Sequence, residues 1–248
     1  MNRSVILVSG LCIALLFASC SPRPVYRLSP QANNTTFNQG TEYVHLTKNG
    51  IGLTISYYRH LDDRFVMDVE IVNNTDSVLR VGPQQFSYQA YKFTSATIPW
   101  EKDNIIAAAK AINPEQKILK TDMAISEIEA DQRTSDLLYA IGTAASVASS
   151  VTANTEEERE EIKEDQEDSY VWHQINQRER ELNQLSLRDR RKVWEIDAFR
   201  KTDLFPDEYI RGYIFFKNNN DAQGYNIRFD SQKATFSIFY QQKRYEVE

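Results

Sequence analysis

Apolar and polar residues alternate in short runs over residues 42–98, a pattern that predicts strands. Residues 43–47 and 51–58 flank Lys48-Asn49-Gly50, and Asn-Gly between apolar runs signals a hairpin because both residues tolerate positive φ. Residues 64–72 set Phe65, Met67, Val69 and Ile71 on one face and Asp68 and Glu70 on the other, with Val66 and Val72 at the ends of that second face. Asn73-Asn74-Thr75-Asp76 turns the chain; residues 78–81 and 86–93 give two more strands, separated by Gly82-Pro83. The alternation resumes at 209–216, 225–229 and 234–240. Five strands before the gap and three after it would each leave open edges, so the two halves are expected to pair. The fold class read from this is α+β: an antiparallel β-sandwich of immunoglobulin-like size, built from residues 42–100 and 202–248 and interrupted by a helical hairpin.

The intervening stretch, 101–201, changes period. Asn113-Pro114-Glu115-Gln116 has a capping Asn and a Pro suited to the first turn, and Thr155-Glu156-Glu157-Glu158 has the capping-box pattern. Val171, Ile175, Leu182, Leu185, Val193 and Ile196 repeat at near-heptad spacing, interrupted at Arg178 and Asp189. Both ends of the insertion must return to the same sandwich, which predicts two long antiparallel helices. Residues 137–151 are small and apolar, with Ala140, Ala144 and Ala148 four apart; they are expected to pack tightly against the partner helix or a neighbouring chain, with membrane insertion or self-association at the tip as the alternatives. Residues 65–67, 71–72 and 214–216 are apolar on both faces, so the base of the hairpin is expected to cover an outer face of the sandwich.

The longest apolar run lies elsewhere, at residues 4–17, behind Arg3 and before Ala18-Ser19-Cys20. It is shorter than the roughly 20 residues a membrane-spanning helix needs and has the length of a secretory signal core. The chain has two cysteines, Cys12 and Cys20; cleavage between Ser19 and Cys20 removes Cys12 and leaves no disulfide or thiolate metal site. Residues 20–41, with three prolines and the polar Gln31-Ala32-Asn33-Asn34-Thr35-Thr36, are expected to form a flexible tether. The formal net charge of −6 gives no electrostatic case for nucleic acid, and the basic cluster Arg188-Asp189-Arg190-Arg191-Lys192 reads as a solvated helix face.

Phe17-Ala18-Ser19-Cys20 resembles the lipobox of bacterial lipoproteins. That resemblance implies a signal peptide over 1–19, cleavage before Cys20 and acyl chains on Cys20 that hold the protein to the membrane. Ser21 in place of Asp implies the outer membrane, and the absence of acidic residues in Ser21-Pro22-Arg23-Pro24-Val25-Tyr26-Arg27 implies its periplasmic face. The stretch Leu204-Phe205-Pro206-Asp207-Glu208, followed by Gly212 and an apolar strand, is similar to a signature of immunoglobulin-like domains in such lipoproteins, with Asp207 at a position usually held by glycine. Ala111-Ile112-Asn113-Pro114-Glu115 resembles the start of the helical insertion in Bacteroides-type envelope lipoproteins. Asp76-Ser77-Val78 matches the O-glycosylation sequon of that group, which makes Ser77 a candidate glycan site.

Candidate chemistry is sparse. His45, His60 and His173 have no metal-ligand spacing, no Gly-x-Ser-x-Gly elbow occurs, and the eight glycines form no phosphate loop. The expectation is a chain with no catalytic residues, cofactor or metal. Two functional classes follow: a module that presents its hairpin to an envelope protein or to a second copy, and a glycan- or ligand-binding module using Tyr57, Tyr58, Tyr88, Tyr91 and Trp100. The second requires those aromatics to line one exposed concave face.

Overall fold

The computed structural model describes residues 24–61, 63–93, 100, 102–152 and 155–245. In chain order its strands are β1 (Val25–Pro30), β2 (Thr35–Asn38), β3 (Thr41–Lys48), β4 (Ile51–Leu61), β5 (Arg64–Asn73), β6 (Leu79–Val81), β7 (Phe86–Tyr91), β8 (Ile105–Lys110), β9 (Thr202–Leu204), β10 (Tyr209–Lys217), β11 (Gly224–Asp230) and β12 (Thr235–Tyr245). Helices α1 (Pro114–Thr152) and α2 (Glu156–Lys192) lie between β8 and β9. The strands form two five-stranded antiparallel sheets, ordered β1-β12-β11-β7-β8 and β10-β5-β4-β3-β2, and a small β6-β9 pair. The expected pairing of the two halves is realised three times, by β5 with β10, by β7 with β11 and by β6 with β9.

One apolar core lies between the sheets. Phe65, Met67, Val69 and Ile71 of β5 face inward with Ile214 and Phe216 of β10, and meet Tyr88, Tyr225, Ile227 and Phe229 from the other sheet. Phe65 sits 4.7 Å from Tyr225 and 5.2 Å from Phe216, ring centre to ring centre. Two tyrosine hydroxyls donate across the layers: Tyr88 to the Lys217 carbonyl at 2.9 Å and Tyr57 to the Tyr26 carbonyl at 3.0 Å. The Asn49-Gly50 hairpin forms as its residues predict, both at positive φ (51° and 76°). Asp207 also takes positive φ (63°), the conformation glycine usually supplies there; short polar side chains tolerate it.

Two boundaries differ from the sequence expectation. The stretch expected as a tether, 20–41, contains β1 and β2. β1 pairs with β12 from Val25↔Tyr245 to Pro30↔Tyr240, and β2 pairs with β3. Both are edge strands, where proline and polar residues are tolerated because one side of the ladder goes unused. The stretch 101–201 is likewise not helical throughout, since Ile105–Lys110 forms β8 against β7. Its alanine-rich composition favours helix, but its alternate residues are half-buried and it pairs with an edge that β7 would otherwise leave open.

The hairpin is fixed to the body at both feet. On the outgoing side, Ala111 N–H donates to the Phe86 carbonyl (2.9 Å) and Ile112 N–H to the Phe215 carbonyl (2.8 Å), joining the two sheets. On the returning side, Phe199 N–H donates to the Tyr213 carbonyl at 2.9 Å, and the Phe199 ring enters the core beside Phe86. Gly212 makes room for it: a Cβ there would come within 2.9 Å of the Phe199 backbone. Arg200 forms a two-pronged ion pair with Glu115 (2.7 and 2.9 Å), which holds the Glu115 carboxyl below its usual range.

The covering role expected of the hairpin base is met at β5 and β10. Val66 and Phe215 point outward, and Ile118, Trp194 and Ala198 bury them. Here α2 widens into a π-helical turn, Val193–Asp197, that lays Trp194 on the sheet 4.5 Å from the Phe215 ring.

Candidate functional site

The two long helices carry the least expected arrangement. Ile118, Ile125, Gln132, Tyr139 and Ser146 of α1, seven residues apart, are the less exposed positions facing α2. On α2 the matching series is Gln166, His173, Arg180, Leu187 and, beyond the helix, Trp194. The interface they form is apolar only near the sandwich. Further out the Tyr139 and His173 rings stack at 4.2 Å, His173 Nε2 lies 3.5 Å from Asp136 and 3.0 Å from Gln177, and Arg180 donates to Ser135 at 3.4 Å. Arg191 pairs with Asp122 at 2.7 Å.

The apolar residues point the other way. Val171, Ile175, Leu182 and Leu185 are 52–61% exposed on the side of α2 away from α1, and Ile196 just beyond the helix is 73% exposed. The near-heptad repeat of α2 therefore lies outside the helix pairing, except that Val193 packs against the Trp194 cluster. On α1 the outward residues include Leu119, Met123, Leu137, Ile141 and Val147, all more than half exposed. Over residues 137–150 all but Tyr139, Ser146 and Ser150 are exposed, so tight packing on the partner helix is not formed along most of this segment. Among the described residues no helix is long and apolar enough to cross a membrane.

The aromatics expected to form a binding face are divided. Tyr88 and Tyr91 are buried, and Trp100 packs on Phe239 (4.5 Å) and Tyr91 (5.1 Å). Tyr57 and Tyr58 do line an open cleft of about 940 Å³ with Tyr26, His60 and Tyr245, where β1 and β4 approach. A β-bulge at Tyr58 turns that side chain outward, onto the Tyr213 ring at 4.6 Å and beside the Arg59 guanidinium at 5.1 Å. Tyr57 Oη lies 2.8 Å from His60 Nδ1, and burial pushes the Tyr57 hydroxyl up to about 12.

Burial lowers the His60 pKa below 6.5, opposed by the nearby Asn218 and Gln242 side chains and the Tyr26 backbone. The unfolded ring therefore takes up its proton at higher pH than the folded ring, so stability should fall as pH drops through the window just below 6.5. Melting temperatures measured from pH 7.5 to 5 should show that slope, and His60→Gln should reduce it; an unchanged slope in the variant would remove His60 as the source.

His45 lies on the outer face of its sheet between Thr36 (2.7 Å) and Thr54 (3.1 Å), beside the ion pair of Arg211 with Asp68 (2.5 and 2.9 Å). Among the described residues, no three His, Cys, Asp or Glu side chains are grouped to hold a metal ion. Ser77 is exposed in the turn between β5 and β6, its hydroxyl accepting from the Lys233 ammonium. The buried Asn73 amide organises that turn by donating to the Ser77 and Leu204 carbonyls, both at 2.9 Å. Ser19 and Cys20 lie outside the described residues. No known protein family matches the chain, and no curated protein matches it.

Proposed function

We propose that this chain is a lipid-anchored envelope lipoprotein of the outer membrane's periplasmic face, held by acylated Cys20. In this reading it is a non-catalytic interaction module: an immunoglobulin-like sandwich carries the helical hairpin as a contact arm. The observation that carries the reading is the inverted hairpin, with polar groups between the helices and large apolar side chains on both outward faces. Each such side chain left in water forgoes about 1.5–3 kcal/mol of burial, a cost that a partner surface removes. The feet clamped to both sheets and the cover over Val66 and Phe215 give the arm a fixed base. The cleft beside Tyr26, Tyr57 and Tyr245 favours a second reading, glycan or small-ligand binding, which saturable binding of oligosaccharides lost in Tyr57→Ala and Tyr245→Ala would support.

The test places a photoreactive residue at Leu137 in intact cells. The full chain should give crosslinked adducts and sediment with membranes. Adding Cys20→Ala should release it to the soluble extract and reduce the adducts about tenfold, because the local concentration set by anchoring is lost. Membrane association unchanged by Cys20→Ala would refute the anchor, and a lack of adducts from Leu137 would refute the contact arm.

A further inference from the structure

We propose that two copies of the chain pair through the outward face of α2, in antiparallel orientation about a two-fold axis near Arg178. This rests on reading the hairpin as a contact arm and adds the partner: a second copy. The apolar stripe is Val171, Ile175, Leu182 and Leu185, spaced four, seven and three, which is the spacing of a coiled-coil seam. It is nearly palindromic about Arg178, so antiparallel pairing sets Val171 of one copy near Leu185 of the other and Ile175 near Leu182. Such self-complementarity is what a two-fold interface requires.

Charge selects the orientation. Residues 156–168 hold nine acidic and two basic side chains, while 188–192 hold four basic and one acidic. Antiparallel pairing brings Glu164, Glu167 and Asp168 of each copy opposite Arg188 and Lys192 of the other. Parallel pairing would set acid on acid at one end and base on base at the other, which is unfavourable. At the centre, each Arg178 comes beside the second copy's Glu179 and Glu181.

Cysteine crosslinking of the full chain in intact cells distinguishes the arrangements. Close to the axis, Arg178→Cys places two copies of the residue within the about 4.4–6.8 Å Cα separation that a disulfide spans. Val171→Cys lies about seven residues from the axis, so its two copies are roughly 21 Å apart at 1.5 Å rise per residue. Oxidation should therefore give a disulfide-linked dimer with Arg178→Cys and none with Val171→Cys alone. Val171→Cys coexpressed with Leu185→Cys should restore the dimer. Equal dimer formation at every position would overturn the antiparallel arrangement in favour of a parallel one. No dimer from Arg178→Cys or from the mixed pair would overturn the proposal outright. In that last case, adducts from Leu137 on α1 still report on the contact arm, so the two readings fail separately.

Discussion

Replacing Trp194 with alanine should cost about 3 kcal/mol and lower the melting temperature by roughly 10 °C, the range for deleting a buried aromatic from a chain of this size. Trp194 is 6% exposed, and it covers two side chains that point away from the main core, Val66 (1%) and Phe215 (3%). Removing the indole opens a cavity over both. It also ends the contact with the Phe215 ring and with the Arg64 guanidinium, which lies 5.6 Å from the indole centre. The effect should reach beyond local packing, because Trp194 occupies the π-helical turn through which α2 rejoins the sandwich. Backbone amides of Ala198 and Phe199, bonded to Val193 and Tyr213, should exchange faster in the variant. Trp194→Phe, which keeps a ring over Phe215, should recover most of the loss. Thermal unfolding with amide exchange measures both. A loss below about 1 kcal/mol, within the range of an ordinary surface substitution, would show that the hairpin base does not seal the outer face.

That seal was legible in the sequence, because Val66 and Phe215 sit at positions where an exposed sheet face should be polar. The Asn49-Gly50 hairpin and both helix starts were legible because each is governed by residues adjacent in sequence, and the pairing of the two halves because five strands and three strands would each leave open edges. Asn113 Oδ1 accepts from Glu115 N–H at 3.1 Å, and Thr155 Oγ1 accepts from Glu158 N–H at 3.3 Å, as their capping patterns predict. Elements decided by distant partners were not legible. β1 and β8 carry proline-flanked or alanine-rich sequences and form strands because β12 and β7 offer edges. The direction of the α2 stripe was not legible, because an apolar heptad by itself does not say which surface it meets. A competing signal was present: Gln166, His173, Arg180 and Leu187 also recur every seven residues, and polar side chains hold that register through ring stacking and hydrogen bonds. Nothing local ranks the two heptads; the geometry of the hairpin feet does.

The central claim is that the outward faces of the hairpin are contact surfaces, occupied in the envelope and open in the isolated chain. Thiol labelling tests it directly. In the proposed mature form, which lacks Cys12 and carries acyl chains on Cys20, an introduced cysteine would be the single free thiol, and its labelling rate follows its exposure. Ile141 and Leu182 are 56% and 61% exposed, so Ile141→Cys and Leu182→Cys should label as fast as a free surface thiol in dilute purified protein. In intact envelopes both should label at least about tenfold more slowly, the protection expected when a site is covered nine-tenths of the time. Gln84→Cys, exposed on the sandwich, should label equally in both settings. Equal labelling of Ile141→Cys and Leu182→Cys in envelope and solution would contradict the claim.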